Sequence, residues 1–458
     1  MAKGIFSFAI ASFFIPKHRS MGYSLLFGRS AFRNRMGRYS YICDYMRKSL
    51  TIKNQKHRMK KTLLLAAAVV CSGFVVQAQQ KSADVVENRF TTIKEVPITP
   101  VKDQANSGTC WSYSALGFLE SEILRMGKPA VDLAEMHSVA QSYKDKGEKY
   151  VRLHGKLNFG QGGSFYDVLY VVKHYGVVPQ SVMEGLNYGT KKNAHSELAD
   201  GALAYLKAIV SNPNGKLTPA WKKAYDGIID SYLGTCPETF TYEGKTYTPK
   251  SFAQYLGLNA DDYVSLTSYT HHPFYTQFAL EIEDNWRGSL SYNMPINELM
   301  ETMEYAINNG YSIAWGSDVS EVGFTRDGIG VLADVEGIEA KGSDQDRWVG
   351  LSRAEKQAEI VRTVNSADCP EINPTQEFRQ KGYDEYTLTD DHGMVIYGIA
   401  KNQNGRKFFM VKNSWGETGK YKGIWYASYN FVAGKTMNII VHKKAIPAAI
   451  AKKLGIRQ

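Results

Sequence analysis

Between Asp103 and Ala115 the chain reads DQANSGTCWSYSA, and no other stretch restricts the possible folds as tightly. A glutamine stands six residues before a cysteine, a glycine two before it, and a tryptophan directly after it. From Trp111 to Arg125 no proline intervenes. Leu116, Leu119, Ile123 and Leu124 recur near a 3.6-residue period, which predicts a buried amphipathic helix with Cys110 at its start. A helix start carries partial positive charge, which favours the thiolate of a group whose ordinary pKa is about 8.5. Gln104, on the loop before the helix, is close enough in sequence to bring its amide beside the sulfur. There, with the Cys110 N–H, it would stabilise an oxyanion.

A lone cysteine at a helix start is more often an inert buried thiol than a nucleophile, so its partners decide. A nucleophilic cysteine needs a base, usually histidine, and the imidazole needs a third group to orient it. Both types occur far downstream, in Asp391-His392-Gly393 and in Lys412-Asn413-Ser414-Trp415-Gly416. Apolar runs flank them, Met394 to Ala400 and Phe408 to Val411, and predict two neighbouring strands with His392 and Asn413 at their ends. In this arrangement Cys110 is a thiolate beside protonated His392, Asn413 accepts the other ring N–H, and Trp415 shields that contact from water.

The glutamine, the Gly-x-Cys-Trp, the His-Gly before an apolar run and the Asn-Ser-Trp-Gly resemble, in order and local spacing, the papain-like cysteine peptidases. In ordinary members the histidine and asparagine follow the cysteine by about 130–150 residues. Here, from position 110, they lie at 392 and 413, so a long insertion separates the parts. The bleomycin hydrolase and aminopeptidase C branch is similar in this respect. Gly162-Gly163, Tyr175-Gly176-Val177-Val178-Pro179 and Trp315-Gly316-Ser317-Asp318-Val319 resemble it too. The resemblance implies an α+β, two-lobed papain-like fold, a helical lobe and an antiparallel β lobe, with a large mainly helical insertion. It also implies peptide substrates, no cofactor, and a homo-hexamer with inward-facing sites.

Phe159 to Ser164 is glycine-rich, but it holds no Gly-Lys-Ser/Thr and follows no dinucleotide-type strand, so phosphate binding is not expected. In papain-like enzymes the equivalent glycines, here Gly162 and Gly163, offer backbone groups to an extended substrate; a tight turn alone is the alternative. Trp111 and Trp415 complete the substrate-binding set. In the similar branch a C-terminal arm enters the cleft and restricts cleavage to the substrate's amino end. This sequence stops at Lys452-Lys453-Leu454-Gly455-Ile456-Arg457-Gln458, soon after the predicted strand Met437 to His442. The resemblance makes an aminopeptidase the first expectation, and because the family's longer arm is not recognisable here, an open-cleft endopeptidase or a non-catalytic secreted peptide-binding protein stand as alternatives.

The chain carries a formal charge of +10, yet its first 58 residues hold twelve Lys and Arg against one acid, Asp44. The rest is close to neutral, so the basic balance belongs to a leader and nucleic-acid binding loses its support. From Met59 the sequence MKKTLLLAAAVVCSGFVVQAQQ has the charged start, apolar run and Val76-Gln77-Ala78 cleavage site of a secretory signal peptide. Residues 1–58 are then an over-extended reading frame, 59–78 the signal, and the mature protein secreted or periplasmic. A cytoplasmic extension with an internal anchor is the alternative, but the apolar run is short for a span of about 20 residues, and no stable membrane insertion is expected.

The segment 79–98 is polar and reads as an arm without periodicity. The peptidase domain then covers 99–446: a Cys-bearing helical lobe 99–186, the insertion 187–386 and the His/Asn β lobe 387–446, with a short tail 447–458. Helices are predicted at 133–146, 202–210, 221–233, 296–308 and 347–364, a strand at 311–319, and an apolar segment at 168–174 after the glycine-rich loop. Cys236 and Cys369 either pair or stay as buried thiols. His271-His272 has no further ligand in a recognisable motif, so a hydrogen-bonded or solvated pair is expected rather than a metal site.

Overall fold

The computed structural model describes residues 86–338 and 352–458. The leader 1–58, the signal segment 59–78 and the start of the arm lie outside the described residues, as do positions 347–351 of the predicted helix 347–364.

Strand β1 (Phe90–Glu95) is followed by helices α1 (Cys110–Arg125), α2 (Glu135–Arg152) and α3 (Phe165–His174). Small or apolar residues stand on every side of α1, among them Ala115, Leu116, Phe118, Leu119 and Ile123, and all of these are buried. A helix apolar all round belongs inside a fold rather than on its surface. Next come α4 (Ser196–Val210) and α5 (Ala220–Leu233). They join the same core through Leu198, Ala202 and Leu206 on one and Tyr225, Ile229 and Leu233 on the other, each set at helical spacing. A hairpin of β2 (Phe240–Tyr242) and β3 (Lys245–Tyr247) turns at Glu243-Gly244, both with positive φ as a tight hairpin turn requires. Helix α6 (Pro249–Leu256) closes this part.

The chain then builds β4 (Tyr263–Thr267), β5 (Gln277–Ala279), β6 (Leu290–Asn293), helix α7 (Ile296–Asn308), β7 (Ile313–Ser317), β8 (Ile329–Gly330), and helices α8 (Arg353–Val364) and α9 (Gln376–Asp384). Four more strands follow, β9 (His392–Asn402), β10 (Lys407–Lys412), β11 (Ile424–Ser428) and β12 (Thr436–His442), with α10 (Tyr429–Lys435) before the last and α11 (Ala448–Leu454) after it. Nine of these strands form one sheet in the order β5-β6-β4-β12-β7-β9-β10-β11-β8, and β1 pairs with β9. Two expectations change here. The segment 187–386, expected to be mainly helical with one strand at 311–319, holds that strand as β7 and also gives β4, β5, β6 and β8 to the sheet of β9. The arm holds a strand, β1, bonded to Gly398–Asn402. Strands of two to six residues carry too little periodicity to stand out in a sequence.

Strand β9 is the axis of the sheet. Its first half pairs with β7, from Ser317 opposite His392 to Ile313 opposite Ile396, its second half with β1 on the same edge, and β10 lies along the other edge. Side chains alternate between the two faces. Val395, Ala314 and Ile440 pack with α1, while Met394, Ile396, Trp315 and Ile439 pack with Leu299, Met303 and Ile307 of α7. The sheet thus lies between two helical layers, and its cover on both faces explains the unbroken apolar run of β9. Cys110, Cys236 and Cys369 are all free, so the Cys236–Cys369 pair does not form. No helix among the described residues is long and apolar enough to cross a membrane.

Candidate active site

Helix α1 begins at Cys110 without a side-chain cap. The Thr109 hydroxyl, which would fill that role, lies 2.6 Å from Ser107 Oγ instead, and the N–H groups of Ser112 and Tyr113 bond the Thr109 carbonyl. The first N–H groups of a helix have no intrahelical partner and favour negative charge beside them. The Cys110 sulfur sits there and takes the N–H groups of Trp111 and Gly393. Gly393 comes so close because it lacks a side chain: a Cβ would lie 2.6 Å from Ser114 Oγ and 2.8 Å from Phe165.

His392 opens β9, and Asn413 directly follows β10. Antiparallel pairing, with Lys412 opposite Val395, puts the start of one strand beside the end of the other. His392 Nε2 lies 2.7 Å from Asn413 Oδ1, an oxygen that also accepts the Ser414 N–H at 2.7 Å. With Nε2 donating to this oxygen, Nδ1 is the ring atom left to exchange a proton. Trp415 stacks on the imidazole. Cys110 and His392 line one pocket together with Gly163, Phe165, Asp284 and Asp390. Burial pushes the Cys110 thiol up to about 12 and the His392 imidazole down to about 4. The surroundings therefore favour the neutral form of each group, where the sequence suggested a pre-formed ion pair. Charge separation rests on their mutual attraction and the helix start.

Gln104 is buried, but not free to swing toward the sulfur. Its Nε2 donates to Ser107 O at 2.7 Å and its Oε1 accepts from Ser414 Oγ at 2.6 Å, while its backbone N–H reaches Ser414 O at 2.8 Å. The loop before α1 is thereby tied to the segment that carries Asn413. Trp111 is 4 % exposed and gives its indole N–H to Gln161 O at 3.0 Å, so it supports the glycine loop more than it offers a surface.

Gly163 lines the pocket and Gly162 stands next to it in the chain, but their expected free backbone edge is engaged. Lys146 Nζ donates to Gly162 O at 2.5 Å, and the Gly163 N–H is taken by the Asp284 carboxylate. Asp284 was not legible as a site residue, since nothing in the sequence ties it to the glycine loop. Of the two aspartates before His392, Asp391 accepts the Ser320 N–H at 3.0 Å and the Thr389 hydroxyl at 2.9 Å, and its charge also favours the protonated form of His392 against the larger effect of burial.

Two clusters have the composition of cation sites. Glu120, Asp132 and Glu135 surround Lys102 Nζ at 2.9, 2.5 and 2.6 Å, so an ammonium already holds that place. His271 and His272 both reach Glu281, at 3.1 and 2.9 Å, the hydrogen-bonded pair expected; the carboxylate partner comes from a later strand end.

Comparison with known proteins places the chain. It is 25% identical over 435 residues to Aminopeptidase G of Lactobacillus delbrueckii subsp. lactis, covering 84% of this chain and 90% of that one. It is 23% identical to Aminopeptidase C of Streptococcus thermophilus, covering 83% and 88%. The crystal structure of PepW from Lactobacillus rhamnosis HN001 superposes with a TM-score of 0.59 at 19% identity, over 87% of this chain and 93% of that chain. The family described as Peptidase C1-like matches residues 137–336 and 381–456. The chain belongs to this Peptidase C1-like family, and it is a cysteine peptidase of the papain-like type in the branch of bleomycin hydrolase and aminopeptidase C.

Proposed function

We propose that the protein is an aminopeptidase acting through Cys110, His392 and Asn413. The observation that carries this reading is the 2.7 Å bond from His392 to Asn413 in a pocket shared with Cys110 at an uncapped helix start. As Cys110 attacks the scissile carbonyl, its proton passes to His392 Nδ1, a C–S bond forms, and the carbonyl oxygen takes the negative charge. The Cys110 N–H and the Gln104 amide serve that oxyanion, the latter after its bond to Ser107 O loosens. His392 then gives the proton to the leaving amine, and water hydrolyses the acyl-enzyme. Asn413 holds the imidazole through both steps, and Trp415 keeps water from one face of it. The names of the relatives support removal of residues from the amino end.

The same reading makes residues 99–186 and 387–446 the two lobes of the catalytic unit, with 187–386 inserted between them. It also makes the mature protein secreted or periplasmic, processed after Ala78, and able to form a homo-hexamer. The experiment is hydrolysis of a matched pair of peptides, one with a free and one with an acetylated amino terminus, by the wild-type and Cys110→Ala proteins. Stepwise release from the free peptide alone, lost in Cys110→Ala, is expected. Internal cleavage of both peptides would identify an endopeptidase, and cleavage of neither under reducing conditions a binding protein.

A further inference from the structure

We propose that Asp284 and Asp390 close the Cys110 pocket and bind the α-ammonium group of the substrate, so that a single residue fits ahead of the scissile bond. The inference rests on the peptidase reading of this pocket and adds to it the groups that select a free amino end.

Three observations carry it. The first is position: both carboxylates line the pocket that holds Cys110 and His392, and both also line an adjoining cavity of about 610 Å³. An α-ammonium lies two bonds from the carbonyl carbon under attack, so its partner must stand in the same small space as the sulfur.

The second is obstruction. An extended peptide bound along the glycine loop needs free backbone groups there, as an added strand does. Asp284 takes the Gly163 N–H, and its carboxylate fills the place a Cβ of Gly162 would occupy. Lys146 takes Gly162 O at 2.5 Å and Gly160 O at 3.3 Å. Residues further toward the amino end find these backbone groups of the glycine loop already engaged.

The third is charge. Among the described residues no hydrogen bond or ion pair reaches Asp390, and its charged neighbours are Asp284 and Asp391. Asp167, the next carboxylate in, has Arg287 at 2.6 Å and the Trp286 indole at 2.9 Å. The cation acting on Asp284 is Lys146, already committed to two carbonyls. Burial, the first cause in both, and like charge nearby push Asp284 up to about 6 and Asp390 up to about 7. A carboxylate pair short of one positive charge is completed by a monocation, and binding it returns both groups to the ionised form. The cavity adjoining is lined by further acids, Glu281, Glu283 and Asp384, with no lysine or arginine among its lining residues.

The test is a titration of full-length Cys110→Ala protein with Ala-Phe-amide, its N-acetyl form and acetyl-Lys-Phe-amide, followed by calorimetry. The free amine should bind at least about tenfold more tightly than the acetylated form, and Asp390→Asn should remove about that factor. Asp284→Asn should do the same and also admit the acetylated peptide better. Among the described residues Asp390 makes no hydrogen bond or ion pair, so Asp390→Asn is expected to keep the fold even where Asp284→Asn loosens the glycine loop; melting curves check both. Equal affinities for free and acetylated peptides, or an unchanged preference in both Asn variants, would overturn the proposal. So would tighter binding of the acetylated lysine peptide, which would assign the acids to a side-chain ammonium. Because the readout is binding to a protein that cannot turn over, it stands apart from the hydrolysis comparison of wild type and Cys110→Ala that judges the peptidase reading.

Discussion

The indole of Trp415 lies on the imidazole of His392 with 4.6 Å between ring centroids and 28° between planes. Trp415 is itself held edge-on by Trp425 at 5.5 Å and Phe324 at 6.1 Å, so the stack is rigid. It covers the ring that Asn413 orients, and a hydrogen bond away from water holds its partners more firmly. Trp415→Ala is expected to lower kcat by roughly tenfold to a hundredfold with a smaller change in KM, because a ring free to tilt loses the geometry of proton transfer. Steady-state kinetics on a free-amino peptide would check it; a change in KM alone would assign Trp415 to substrate binding.

Gly393→Ala tests the close approach of β9 to α1. The new methyl group would meet Ser114 Oγ and Phe165, an overpacking that costs about 1–3 kcal/mol. It would also draw the Gly393 N–H away from the Cys110 sulfur. The expected result is a lower melting temperature together with slower alkylation of Cys110 at neutral pH. Unchanged alkylation would mean that the strand start moves without the sulfur noticing.

Lys102 stands between three carboxylates of which Glu120 and Glu135 are buried. Burial alone would lower its pKa, but Glu135, Glu120 and Asp132 hold it well above the ordinary lysine value. Lys102→Met would leave buried carboxylates without their cation, which costs about 3–5 kcal/mol. Urea unfolding should show that loss at pH 7. It should shrink at acidic pH, where Glu135, pushed up to about 7 mainly by burial, is neutral in the fold.

His137 and His195 are buried with neither ring nitrogen partnered, and burial pushes both down to about 4. The unfolded value is about 6.5, so between those limits the unfolded chain binds more protons than the fold. The stability each contributes is present above pH about 6.5 and is lost as pH falls toward 4, by about 3 kcal/mol per histidine. His137→Leu should therefore lose less stability between pH 7 and 4.5 than the parent in denaturant titrations. The raised acids act in the opposite direction in both proteins, so the difference between the two curves isolates the histidine.

Much of this molecule was legible before its structure. Cys110 does open a helix, His392 and Asn413 do stand at neighbouring strand ends, and the helix at 296–308 has the bounds its pattern predicts, with Gly310 at positive φ just beyond. These were readable because each signal is local: a period of 3.6, an apolar run, a terminating glycine. Strands β1, β4, β5, β6 and β8 were not, because two to six residues carry no period and their partners lie up to hundreds of positions away, whereas β7 falls inside the strand read at 311–319.

What the sequence determined by itself is therefore the chemistry on offer, the Cys, His and Asn in order, and the elements that carry them. Only the tertiary structure decided what surrounds that chemistry. Asp284 reaches the glycine loop from within the insertion and takes the Gly163 N–H, while Lys146 takes Gly162 O from α2. Burial, not the sequence motif, pushes the Cys110 and His392 pKa values toward the neutral forms. The physical reason is that hydrogen bonds and desolvation depend on distance in space, and a sequence orders its residues only along the chain.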